Sequence, residues 1–180
     1  MNKIEGNIVD VVAGTIRKGV VTVENGKIEK VQYQEVDSDQ FIMPGFIDAH
    51  VHVESSMVIP SEFARLAVVH GSVATISDPH EIGNVLGKDG VKFMIDNGNE
   101  VPFKFYFGAP SCVPATVFET AGAEITPADI REMLSWDGVN YLAEMMNFPG
   151  VLHKDPDVME KIAIAHEMGK VIDGHLPGIK

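Results

Sequence analysis

After Met43-Pro44-Gly45 the chain alternates short strand-like runs with helical stretches, and this rhythm constrains the fold more than any other feature. The strand-like segments are 46–52 (FIDAHVH), 72–78 (SVATISD), 103–107 (FKFYF), 139–144 (VNYLAE) and 170–175 (KVIDGH). Between them, 60–70 (PSEFARLAVVH), 89–98, a stretch from Thr126-Pro127 and another from Asp155-Pro156 read as helices, with Gly71 and Gly169 as stops. Strands alternating with helices argue for βαβ units and a parallel sheet. Five such units suit either an open doubly wound sheet or the first part of a (β/α)8 TIM-type barrel. A whole barrel usually takes about 250 residues, so 44–180 is long enough for about five of eight units.

Residues 1–43 read as a separate small β module. Lys18–Val23 (KGVVTV) and 27–33 (KIEKVQY) flank Glu24-Asn25-Gly26, and Asn-Gly between such runs is a strong hairpin signal because both positions accept positive φ. The expected organisation is therefore a β module over 1–43 and a truncated (β/α) barrel over 44–180.

Composition bounds the partners. With 180 residues, 45% hydrophobic and 22% charged, the chain can bury a core and is not a disordered segment. Its formal charge of −12 repels phosphate backbones, so no nucleic-acid partner is expected. No apolar run approaches the roughly 20 residues that span a bilayer, the N-terminus lacks a signal-peptide core, and the single cysteine, Cys112, suits a reducing compartment. A cytoplasmic protein without a membrane partner is the expectation.

The chemistry concentrates at strand ends. In Asp48-Ala49-His50-Val51-His52, residues two apart share a face, so His50 and His52 can hold one metal ion from a single strand end, with Asp48 one step deeper. Imidazole suits Zn, Fe, Mn and their neighbours. Glu144 closes the fourth strand, where a carboxylate is expensive to bury unless paired or metal-bound, and its two oxygens can bridge two cations. His175 closes the fifth, with Asp173 on its face. Singly, each has a plain alternative: a histidine pair near a turn, a solvated edge glutamate, a structural histidine. Their coincidence at one sheet edge favours metal. The second strand runs into Ser77-Asp78-Pro79-His80-Glu81, a cluster suited to orienting ligands, shuttling protons or holding an extra metal, or else to capping a helix. Ser111 and Cys112 lie in a rigid loop that can line a substrate pocket. Cys112 reads as a packed thiol rather than a nucleophile. His70, His153 and His166 receive no role.

Taken together, PGFIDAHVHVESSM (44–57), SDPHEIGNVLG (77–87), PSCVPATVFETAGAE (110–124), AEMMNFPGV (143–151) and DGHLPG (173–178) resemble the amidohydrolase superfamily and, within it, the adenine deaminases. The resemblance runs along essentially the whole chain. It implies a (β/α)8 barrel beside a β domain and a centre of two divalent metal ions, Mn or Fe in preference to Zn. His50, His52, Glu144 and His175 match metal ligands, with Glu144 as the bridging carboxylate where many relatives use a modified lysine. The implied reaction is hydrolysis of adenine to hypoxanthine and ammonia, in purine salvage, with adenine as the small-molecule substrate. His80 and Glu81 are candidates for proton handling or purine contacts, and Ser111 and Cys112 for substrate contact.

The family pattern also takes a histidine from strand six and a general-base aspartate from strand eight. Neither lies within these 180 residues, so the chain as given is expected to be an inactive fragment. An uncovered fifth strand would further favour a homo-oligomer. Two alternatives stand beside this reading: a cyclic amidohydrolase of the dihydroorotase or hydantoinase kind, and a non-catalytic metal-binding fragment. The zinc deaminases with H-x-E and P-C-x-x-C are excluded by the single cysteine.

Overall fold

The computed structural model describes residues 1–116 and 118–178; Val117, inside the 110–124 stretch, and the last two residues lie outside the described set. Residue contacts divide the chain into two compact units, Met1–Gly45 and Phe46–Lys180.

The first unit is a four-stranded sheet in the order β3-β2-β1-β4, built from β1 (Asn2–Asp10), β2 (Thr15–Glu24), β3 (Lys27–Tyr33) and the short β4 (Phe41–Ile42). β1, β2 and β3 run antiparallel, while β4 joins β1 in parallel. The β2–β3 hairpin turns on Asn25 (φ 51°) and Gly26 (φ 74°), the two positive values that a tight hairpin turn of this hand requires. Ile8, Val20 and Val21 are its buried apolar residues.

The second unit is α/β. Its parallel sheet has the order β5-β6-β7-β8-β9, with β5 Phe46–Val51, β6 Ser72–Ser77, β7 Lys104–Ala109, β8 Val139–Met145 and β9 Val171–Gly174. Spatial order equals chain order. A doubly wound sheet must reverse its strand order at a switch point, and no reversal occurs among these five strands. Of the two architectures compatible with the sequence rhythm, the partial barrel is the one realised. Helices α1 (Pro60–Val68), α3 (Lys88–Gly98), α4 (Pro127–Leu134) and α6 (Pro156–Glu167) lie where the sequence rhythm expects them. Thr126 caps α4 through a reciprocal box with Asp129, and Asp155 caps α6.

Two further helices, α2 (His80–Leu86) and α5 (Phe148–His153), fall in stretches that read as loops. Both are too short to display a full apolar period, and Gly83, Pro149 and Gly150 are poor helix formers. The core packs Phe107 and Leu142 of the sheet against Val91, Met94 and Ile95 of α3, Ile130, Met133 and Leu134 of α4, and Ile164 of α6. β5 and β9, the two outer strands, are largely exposed. Among the described residues no helix is long and apolar enough to cross a membrane.

Candidate metal centre

The strands of the second unit deliver their polar residues to one edge. His50 lies near the C-terminal end of β5 and His52 just beyond it, Glu144 sits next to the end of β8, and His175 follows β9 directly. This is the edge at which (β/α) barrels build their sites.

Regular alternation would not have brought them together. Along β8, Leu142 belongs to the helix-packed core, and strict alternation would turn Glu144 the same way. The ladder to β9 instead pairs Leu142 with Ile172 and Met145 with Gly174, so β8 carries one extra residue over that span. Such a bulge re-aims the side chain beside it, and Glu144 faces the histidines rather than the core. β5 repeats the device: Asp48 pairs with Thr75 and Val51 with Ser77. The expectation that Asp48 shares a face with His50 and His52 is corrected here. Asp48 lines a groove with Phe63 and His70, and its carboxylate only accepts the His50 backbone N–H at 3.1 Å.

Four of the residues singled out from the sequence meet at Glu144. Its Oε2 lies 3.5 Å from His50 Nε2 and 3.3 Å from His52 Nε2, and its Oε1 touches His175 Nε2. The two Nε2 atoms of His50 and His52 are 3.2 Å apart. Glu144's side chain is 12% exposed and His52's 22%, whereas His50 and His175 are each 46% exposed. Asp173 Oδ2 stands 3.8 Å from His50 Nδ1. The backbone holds this arrangement from below, since the Glu144 carbonyl accepts from the buried Ser111 hydroxyl at 2.7 Å and from Met146 N–H at 2.9 Å.

The donor set fits a cation. His52 Nδ1 lies 3.0 Å from the Asp78 carbonyl oxygen, which can only accept. Nδ1 therefore carries the ring proton, and Nε2 turns a lone pair toward Glu144 and His50. Acceptors facing one another at these distances call for a positive charge between them. Imidazole with carboxylate oxygen is a ligand mixture that divalent transition metals accept.

The β6–α2 loop adds a second layer. Asp78 is 2% exposed, and burial pushes its carboxyl above the usual range against the pull of His80 and His52. His80 Nδ1 lies 3.2 Å from Asp78 Oδ2, and the His80 ring meets His52 edge-on at 4.7 Å. Burial works against charge on His80, but the contact with Asp78 outweighs it and raises the imidazole. Glu81 points elsewhere and accepts from the Ser55 hydroxyl at 2.6 Å. Glu54, raised by burial, accepts the Ile82 N–H at 3.2 Å. The Tyr141 phenol is pushed well up, first by burial and then by the charges of Asp78, Asp173 and Glu144.

Ser111 and Cys112 are both buried, the Cys112 sulfur lying 3.5 Å from Met145 Sδ. They line a cavity of about 320 Å3 with Thr116, Asn147 and Lys161. Glu54, Ser55 and the side chain of Asp78 carry no role in the sequence reading. Asp78 had a legible signal, a carboxylate just past the second strand at the productive edge. The Glu54 and Ser55 contacts cross between loops and leave no trace in local pattern.

Comparison with known proteins agrees with this geometry. The Amidohydrolase family matches residues 41–180. The chain is 53% identical over 180 residues to the adenine deaminase of Methanosarcina mazei, 54% over 178 to that of Sulfurovum sp., and 53% over 177 to that of Salinibacter ruber. These alignments cover 100%, 99% and 98% of this chain but 32%, 33% and 32% of the relatives, so the chain spans about a third of their length. On the extent of the family match, carried through the strands that supply these ligands, the chain belongs to the amidohydrolase family.

Proposed function

We propose that these residues are the metal-capturing part of an enzyme that hydrolyses adenine to hypoxanthine and ammonia in purine salvage. The observation that carries the proposal is the convergence of His50, His52 and His175 on the two oxygens of one carboxylate, Glu144. That grouping holds two divalent cations with Glu144 between them, and we assign Mn or Fe. The relatives' names support adenine as substrate. A cytoplasmic setting is supported by the single cysteine.

When bound, such a cation pair supplies a nucleophile at neutral pH by acidifying water. The chain's own groups do the rest of the positioning. The Asp78 carbonyl fixes the His52 tautomer, and Ser111 with Met146 fixes the β8 end beneath Glu144. Glu81, steadied by Ser55, is our candidate for carrying a proton to the departing amino group, a step that requires a carboxyl poised beside the site. His80 was grouped with it, but its Nδ1 turns to Asp78 instead. Ser111 and Cys112 contribute from beneath the site. We assign turnover to a chain of the relatives' length and cation capture to these residues.

Titration of the metal-free chain with Mn(II) tests the reading. The expected result is tight binding that Glu144→Gln abolishes; a chain that binds no Mn(II), or a variant that binds as well as the parent, overturns it. In a protein of the relatives' length, ammonia release from adenine should exceed ring opening of hydantoin, and the reverse order would move the assignment to cyclic amides.

A further inference from the structure

The buried side-chain polar atoms that lack a hydrogen-bond partner among the described residues are not scattered. They are Glu54 Oε2, Ser77 Oγ, Asp78 Oδ1 and Oδ2, His80 Nδ1 and Asn84 Oδ1, all within one short helical turn and the β6–α2 loop. Native proteins pair nearly all such atoms, so a concentration of them in one place needs an explanation, an ion among the first. Asp78 is the extreme case: a carboxylate only 2% exposed with both oxygens unpaired. The neighbouring His80 Nδ1, at 3.2 Å, does not meet it with hydrogen-bond geometry.

These atoms are aimed at a common point. One ligand atom from each of His52, Asp78, His80 and Glu144 lies within 4.8 Å of the others. Metal–ligand bonds of about 2.0–2.2 Å separate donors around one ion by roughly 3.3–4.4 Å, so the four need to draw in by only a few tenths of an ångström. Every ion pair of Asp78 and Glu144 among the described residues uses a histidine, so neither carboxylate is neutralised by a lysine or arginine.

We propose that Asp78 and His80 are metal ligands, holding with His52 and Glu144 a buried divalent cation. Resting on the two-cation reading above, this divides the centre into two compartments. His50 and His175 serve the outer, half-exposed ion, Asp78 and His80 serve the inner one, and Glu144 offers an oxygen to each. His80 then leaves proton handling to Glu81. The family resemblance gives Asp78 and His80 no such task. It also means that these residues contain donors for both ions without the two ligands that the family pattern takes from later strands.

The test is a Mn(II) titration of the full chain, followed by calorimetry and by the electron paramagnetic resonance signal of coupled manganese, with circular dichroism to verify folding. The parent should bind two ions. Asp78→Asn and His80→Gln should each weaken one site by about tenfold or more and remove the coupled signal. His175→Gln should weaken the other site instead. If folded Asp78→Asn and His80→Gln chains both bind two ions as tightly as the parent, the proposal fails while the two-cation reading stands. A parent that binds one ion, lost in Asp78→Asn and kept in His175→Gln, supports the inner site and overturns the pair. A parent that binds none overturns both.

Discussion

Single side chains set the local electrostatics outside the metal centre as well as within it. At the start of α4, the Asp129 carboxylate accepts from the Thr126 hydroxyl at 2.7 Å and from the Thr126 N–H at 2.9 Å, and Lys88 lies 2.9 Å away. Burial tends to raise the Asp129 pKa, but these partners outweigh it and hold the group down to about 2. A carboxylate whose folded pKa is depressed stabilises the fold fully above its unfolded value, near 4, and that contribution is lost as pH falls through the folded value. Thermal melts of the parent and Asp129→Asn should therefore differ at pH 6 and converge toward pH 2; a gap that widens in acid would contradict the assignment. Thr126→Ala removes the other half of the box and should destabilise by about 0.5–2 kcal/mol in denaturant unfolding at neutral pH.

Strands and helices decide where those side chains arrive. Gly108 of β7 is a close-approach position: a Cβ there would stand 2.7 Å from both the Ala143 Cβ and the Tyr141 ring of β8. Gly108→Ala should push β8 away, with an overpacking cost of about 1–3 kcal/mol in chemical denaturation. Because Ala143 adjoins Glu144, the same variant should weaken Mn(II) binding, whereas a purely global effect would leave the affinity of the folded fraction unchanged. The strands of the second unit and its four longer helices were legible because each spans enough residues to display a period or a stop signal. His50, His52, Glu144 and His175 could be singled out because residue chemistry and strand-end position coincide. What local pattern could not carry was the re-aiming. Strict alternation groups Asp48 with His50 and Leu142 with Glu144, and the extra residues in β5 and β8 part both pairs. α2 and α5 escaped because tertiary packing, not propensity, sustains helices of six or seven residues.

The chain taken whole leaves apolar surface uncovered at the outer strands of the second unit. Val171 of β9 is exposed, and Leu152 and Leu176 are exposed along a groove shared with Phe148 and Ile172. Unpaired strand edges and apolar patches both promote self-association, whereas a net charge of −12 opposes it. Short-range pairing outweighs a repulsion that salt screens within about 8 Å. Light scattering at physiological salt should then give a mass above that of the monomer, rising with protein concentration. A monodisperse monomer that melts cooperatively would count against this.

The added residue near the end of β8 makes recognition of this centre a matter of parity as much as of chemistry. Deleting Ala143 would leave every ligand type in the chain, yet an even count would turn Glu144 outward among the helices and strand three imidazoles around an empty middle. Two sequences with the same histidines and the same glutamate, differing by one alanine, would then differ in whether they have a centre at all.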